Sequence, residues 1–383
     1  MNKKSTLRFF RTQIMVNMVI LCSLVFFSCD QEPLFWTVAK EVAPKKAKIK
    51  GAPTKIVAQG DKLYVGNGNL WEFSDNNWHE IAKPAGIVRD LAVANTTADT
   101  TTKYVLTIDN MANGDTVIWR QPSSSGTWEA MPNGFASSLG YQAIFYCEGI
   151  LFVSKKRSVS KNDSTDFDIY IYENNVFNPT PIISSTGLLQ GVVNIGTKYY
   201  IATLGDGIRV WDKSTATKLY SGSILGIIKT DATHNIIVAV SRDGWIYQIN
   251  ASNAPISGFP IKKDLLFTGA LGLWENSPNK LLLLGISRNN NSNYGYREIP
   301  INADGTIKSD SFSEPGKAAP TSVRSYETYF TTLDKYPLNS LMQSPGPLNQ
   351  DGLPVIFASM QTNGLWSFRY DTKESKSIWN AES

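Results

Sequence analysis

The sequence predicts an all-β fold, a seven-bladed β-propeller, and three observations carry that prediction. Hairpins of alternating apolar and polar residues recur from Lys62–Phe73 to Pro354–Tyr370, and no stretch reads as a long amphipathic helix. The hairpins fall in units of about 40–50 residues, each preceded by a short apolar strand and often followed by a fourth strand carrying Trp. Laid over one another, the first strands share a column of small residues. Six or eight blades are the alternatives if one unit has been split or merged.

Taken in order, the chain opens with Lys3, Lys4, Arg8 and Arg11 and no acid, then the apolar run Ile14–Phe27, then Ser28-Cys29. This is the three-part layout of a secretory signal peptide, too short for a comfortable membrane span. A Cys preceded by a small residue and bulky apolar ones resembles the lipobox of bacterial lipoproteins. The resemblance implies that Cys29 becomes the lipidated first residue of the mature chain. Phe26 and Phe27 depart from the stricter lipobox and match the relaxed versions of spirochaetes and Bacteroidetes. The expected location is the cell envelope, held by lipid at the outer membrane, the periplasmic face or the cell surface. Residues 1–28 are read as leader, 29–52 as lipidated Cys and Lys-rich tether, and 53–383 as the propeller.

Charge follows the same division. The chain has 37 basic and 33 acidic residues, and the leader holds four basic and no acidic ones, so 33 of each remain (37 − 4 = 33). A neutral domain lacks the field of a nucleic-acid binder, which excludes that partner class. Of three cysteines, Cys22 lies in the leader and Cys29 carries the lipid, which leaves Cys147 alone. An exported domain with one Cys has no internal disulfide and must be held by its core. Cys147, inside an apolar run, reads as a small buried hydrophobe.

The hairpins are Lys62–Phe73, Lys103–Arg120, Ile150–Tyr172, Lys198–Trp211, Asn235–Ile249, Lys280–Ile299 and Pro354–Tyr370. In Lys198–Trp211 a Gly-Asp-Gly turn joins two strand-like runs, the clearest hairpin signal of the chain. The small column of the first strands holds Ala143, Gly191, Gly226, Gly269 and Ser325, with Lys55 and Asp90 as exceptions. Small residues there let innermost strands crowd around a propeller axis. The preceding column is Thr54, Arg89, Gln142, Gln190, Leu225, Thr268 and Arg324, polar in six of seven and spaced by 35, 53, 48, 35, 43 and 56 residues. The seventh first strand is thereby placed at Val323–Thr331, and Leu338–Asp351 is expected to be an irregular excursion on one face.

The stretches GDGIRVWD (Gly205–Asp212), SRDGWIYQI (Ser241–Ile249) and QTNGLWSFRYD (Gln361–Asp371) resemble blade hairpins of WD-type, NHL-type and sensor-type propellers. With the lipobox, the whole is similar to the propeller lipoproteins of spirochaetes. That resemblance implies an anchored binding or scaffold domain and supplies no catalytic residues.

Direct chemistry is sparse. SSSGTW (Ser123–Trp128) and SRDGW (Ser241–Trp245) only graze the Asp-box of sialidases. Tyr326 and Glu327 are adjacent, so on a strand they point to opposite faces and make a poor nucleophile pair. Two isolated histidines, His79 and His234, cannot form a zinc site, and Asn162–Asp168 lacks the Gly and terminal Glu of an EF-hand loop. No metal and no cofactor is expected. The polar column is the remaining candidate: Thr54, Arg89, Gln142, Gln190, Thr268 and Arg324 would converge at one channel mouth, where paired arginine donors suit a carboxylate. The expected function is a monomeric, non-catalytic interaction or scaffold module for an envelope or host protein. The alternative is a receptor for an anionic small molecule or glycan at the channel mouth, with a sialidase-like glycosidase as the remote third.

Overall fold

The computed structural model describes residues 48–96, 99–109, 115–122, 126–131, 140–157, 166–231, 233–263, 265–276, 279–287, 295–307, 333, 336–373 and 375–382. Lys46–Ser383 forms one compact unit. Cys29, expected to carry lipid, and the stretch 1–28 read as leader lie outside the described residues, as do Val323–Thr331.

The described residues are strands, turns and loops, with no helix assigned. The first sheet runs β1 (Val57–Gln59), β2 (Lys62–Gly66), β3 (Leu70–Ser74) and β4 (Asn77–Ile81) in sequence order, all antiparallel. The second holds β5 (Ile87–Val93), β6 (Lys103–Ile108), β7 (Thr116–Gln121) and β8 (Glu129–Ala130). The third has β9 (Tyr141–Cys147), β10 (Ile150–Lys156), β11 (Phe167–Glu173) and β12 (Val176–Phe177), and β13 (Ile183–Thr186) returns to pair with β11.

The fourth comprises β14 (Leu188–Ile195), β15 (Lys198–Leu204), β16 (Gly207–Trp211) and β17 (Ala216–Tyr220). The fifth comprises β18 (Ile224–Lys229), β19 (Ile237–Ser241), β20 (Trp245–Ile249) and β21 (Ile261–Lys262). The sixth has three strands among the described residues, β22 (Leu266–Asn276), β23 (Asn279–Ser287) and β24 (Gly295–Pro300). The seventh closes the set with β25 (Leu338–Leu348), β26 (Pro354–Met360), β27 (Leu365–Asp371) and β28 (Lys376–Ala381). Seven meanders make seven blades, as the repeat predicts.

Turn chemistry explains the hairpins. Asp75-Asn76 and Asn174-Asn175 hold paired positive φ angles of 51° and 61°, and of 52° and 62°, the geometry that matches a two-residue turn to strand twist. At the Gly205-Asp206-Gly207 turn, a Cβ on Gly207 (φ 99°) would sit 1.8 Å from the Tyr220 carbonyl, so only glycine fits. The Asp206 carboxylate between them accepts from Arg209 Nε at 2.6 Å and from Thr186 Oγ1 at 3.0 Å.

The core is divided among the blade interfaces. Seven apolar clusters each draw on two adjacent blades, one cluster for every interface. The second strands feed two clusters at once, because alternate residues point to opposite faces. Ile237 and Ala239 pack toward the fourth blade, and Val238 and Val240 toward the sixth. Leu281 and Leu283 pack toward the seventh blade, Leu282 and Leu284 toward the fifth. A strand covered on both faces must be apolar at nearly every position, which is why Pro354–Met360 is buried throughout.

The ring closes between the last blade and the first. Phe73, Trp78 and Phe357 pack with centroids 4.8–5.3 Å apart across that interface. Residues 48–51, in the stretch read as tether, already run along β27: Leu365 N donates to the Ile49 carbonyl at 3.0 Å, and Gly364 N to Gly51 at 2.9 Å. Lys48 N donates to the Glu382 carbonyl, and Ile49 is fully buried.

One placement is corrected. Leu338–Leu348, expected as an excursion, is the innermost strand of the seventh blade. Pro345 and Pro347 argued against a strand there. The structure accommodates them by breaking the ladder between Gln343 and Leu348, on a strand whose other edge has no partner strand among the described residues.

Candidate functional site: the axial channel

A regular innermost strand sends its side chains alternately against the two neighbouring blades and shows the axis little but its edge. A bulge breaks that alternation by leaving a residue outside the ladder. Here the break recurs at one register. Pairing of β5 with β6 passes from Val88 to Asp90 and omits Arg89. In the same way Gln142, Gln190, Leu225 and Asn339 are omitted from β9, β14, β18 and β25. In β22 the break is wider, from Phe267 to Leu271, and holds Thr268 and Gly269. Thr54 takes the corresponding place in the first blade, where its Oγ1 accepts from Gly66 N at 3.0 Å.

The polar column of the sequence is therefore a ring of bulge residues, and it borders a cavity of about 610 Å³. Thr54, Arg89, Gln190, Leu225 and Thr268 line that cavity. Gln142 is exposed but lies off its wall, which the next residue, Ala143, supplies. Arg324 lies outside the described residues. Asn339, which the sequence reading missed, holds the seventh place, lines the cavity and donates through Nδ2 to the Pro53 carbonyl at 3.0 Å.

The small column brings backbones together. A Cβ on Gly226 would lie 2.4 Å from the Gly269 carbonyl, and one on Gly269 (φ 85°) would lie 2.4 Å from the Leu225 carbonyl. Its two exceptions turn out to be partners. Lys55 Nζ lies 2.8 and 2.9 Å from the two Asp90 oxygens, and also donates to the Ile144 carbonyl. The ammonium sits 3.7 Å from the Phe145 ring centroid. Burial lowers the Lys55 pKa, and the Asp90 charge offsets part of that. Asp90 in turn accepts from Leu91 N and Ile144 N, each at 2.9 Å.

The charged residues on the wall are thus Lys55, Asp90 and Arg89, and the first two cancel. Arg89 is exposed and makes no hydrogen bond or ion pair with another described residue. Two or three positions further along the innermost strands the lining turns apolar, with Phe145, Val192, Ile227, Leu271 and Met342. Among the described residues the wall offers a guanidinium without a partner, amides and hydroxyls, and a set of apolar side chains.

The other singled-out residues stay structural. Cys147 is half-buried among apolar neighbours, and burial pushes its thiol up to about 12. His79 sits exposed on β4, opposite Glu72. His234 Nδ1 lies 3.4 Å from Asp231, whose carboxyl Thr233 and Lys280 hold well below the usual range. Among the described residues no group of three or more His, Cys, Asp and Glu is placed to hold a metal ion.

Fold and channel together define a seven-bladed β-propeller with a polar-rimmed axial cavity. Residues 1–90, which end at Asp90 on β5, match the TP013X lipoprotein family. A segment of 72 residues is 39% identical to an uncharacterized lipoprotein of Treponema pallidum (strain Nichols) and spans 19% of this chain and 19% of that relative. Among solved structures, the WD40 β-propeller domain of Doa1 is similar over 86% of this chain and 96% of its own, with a TM-score of 0.50 and 10% identity. At that identity the likeness concerns the fold alone.

Proposed function

We propose that this chain is a lipid-anchored envelope protein whose propeller is a non-catalytic interaction module, recognising its partner through the bulge ring of the axial channel. The observation that carries this reading is the ring itself: at one register, six blades break their ladders and five set a polar residue there. The similarity of residues 1–90 to lipoproteins supports the anchor, with Cys29 as the lipidated residue. The test is a photoreactive amino acid placed at Gln142, in the ring but off the cavity wall, and separately at Glu129 on the exposed outer strand β8. A discrete protein adduct from position 142 alone is expected in intact cells. No adduct, or the same adducts from both positions, overturns the proposal.

A second reading, a receptor for an anionic small molecule or a glycan, is favoured by Arg89, which lies on the cavity wall with no partner among the described residues. A free ligand that abolished the adduct at position 142 would favour it over a protein partner.

A further inference from the structure

Resting on the reading of the channel mouth as a ligand site, we infer that the cavity takes a carboxylate carried on an apolar body, with the carboxylate at Arg89 and the apolar group on the Val192–Ile227–Leu271 floor.

The sign of the charge follows from the wall. Lys55 is saturated by both Asp90 oxygens and the Ile144 carbonyl, and Asp90 by Lys55 and two backbone amides. That pair belongs to the wall and has no capacity left for a ligand. Arg89 has no hydrogen-bond or ion-pair partner among the described residues. A guanidinium presents paired N–H groups that match the two oxygens of a carboxylate, and charge-assisted bonds of this kind outweigh neutral ones. Gln190, on the same cavity wall, offers an amide to a polar group of the same ligand.

The apolar body follows from the depth. Val192, Ile227 and Leu271 lie two or three residues beyond Gln190, Leu225 and Thr268 on their strands, roughly 7–10 Å at the strand rise. Gly191, Gly226 and Gly269 lie between the two sets along their strands and line the same cavity. A cavity of about 610 Å³ has room for a ligand of that length. A fully polar anion such as phosphate would engage Arg89 and leave the floor wet. A hydrocarbon would fill the floor and leave the guanidinium unpaired. Only a molecule with both parts satisfies both layers.

Such a group occurs at the C-terminus of a peptide ending in an apolar residue and on small aliphatic or aromatic acids. The experiment uses the full-length chain in lipid nanodiscs and fluorescence anisotropy with N-terminally labelled Gly-Gly-Phe tripeptides, one ending in the free acid and one in the carboxamide. The acid is expected to bind at least tenfold more tightly than the amide, since charge-assisted bonds are lost without the carboxylate. Arg89→Gln should remove that preference, and Arg89→Lys should keep part of it. Ile227→Asn should weaken the acid while the preference over the amide survives. Competition by 3-phenylpropionate assigns the site to small acids, and its failure assigns it to peptide termini; either outcome supports the shared chemistry. Equal binding of acid and amide overturns the carboxylate assignment and leaves the channel a ligand site. No binding by any of these probes to the wild-type chain overturns the inference, while an adduct at position 142 would still support the interaction module.

Discussion

Lys55, two residues before β1 of the first blade, and Asp90 on β5 of the second are joined by two contacts of 2.8 and 2.9 Å, and Asp90 extends the link to the third blade through Ile144 N. Three blades are thus pinned by side chains where blades four to six approach through glycine. With side chains only 21% and 13% exposed, the pair is too buried to be treated as a surface salt bridge. Asp90→Ala strands an ammonium and two backbone donors, and should lower unfolding free energy by about 2–4 kcal/mol. Lys55→Met with Asp90→Leu should recover part of that loss. Denaturant titration of the three proteins checks both statements. Equal stability of Asp90→Ala and wild type would show the link to be idle.

Blades four to six close on backbone instead. Gly269→Ala places a Cβ 2.4 Å from the Leu225 carbonyl at a φ of 85°, so steric and conformational costs add. A loss of about 3 kcal/mol or more is expected, or failure to fold. Gly196→Ala is the control. Its φ is 60°, nothing lies within 4 Å of the new Cβ, and only the left-handed cost of about 1–2 kcal/mol applies. Similar losses for the two variants would show that the close approach contributes nothing.

The buried tyrosines set an alkaline limit. Burial pushes Tyr199 up to about 12 and raises Tyr104 and Tyr141 as well. The unfolded chain releases these protons near pH 10, whereas the folded chain retains them. The unfolded state then binds fewer protons, so stability falls as pH rises from about 10 toward 12. Lys55, Lys103 and Lys155, whose pKa values burial lowers, work in the opposite sense below 10.5 but are outnumbered by the raised tyrosines. Unfolding free energies at pH 8, 10 and 11, followed with tyrosinate absorbance, should fall together with ionisation on unfolding. A flat profile would contradict the burial of these phenols.

The anchor has its own test. Cys29→Ala should abolish incorporation of labelled palmitate and move the protein out of the membrane fraction, whereas Cys147→Ala should leave both unchanged. Label persisting in Cys29→Ala would place the lipid elsewhere.

Much of the fold was legible because turns and pleats write directly into sequence. The seven hairpins appear where alternation and near-continuous apolar second strands place them, and β26 and β19 are apolar because both faces are covered. The seventh innermost strand was not legible. Val323-Arg-Ser-Tyr and Leu338-Asn-Ser-Leu carry the same apolar–polar–small pattern. The first lies 56 residues after Thr268 by its arginine, near the repeat, while Asn339 lies 71 residues away (339 − 268 = 71). Prolines at 345 and 347 completed the disguise. Of the site, the polar column was visible, but the reason for its polarity, the bulge, is a pairing property that no single strand reveals. The Lys55–Asp90 link could have been found: opposite charges in one column of consecutive units must meet when the units stand side by side.

The seam between the last and first blades has a mechanical side. Ile49 and Gly51 accept from Leu365 and Gly364, and Lys48 donates to Glu382, so the incoming chain is stitched to the same two strands that carry the C-terminal end. Pull applied from the N-terminal side would reach that seam first, through these bonds. With the anchor proposed at Cys29, that clasp would be the part of the propeller that bears load.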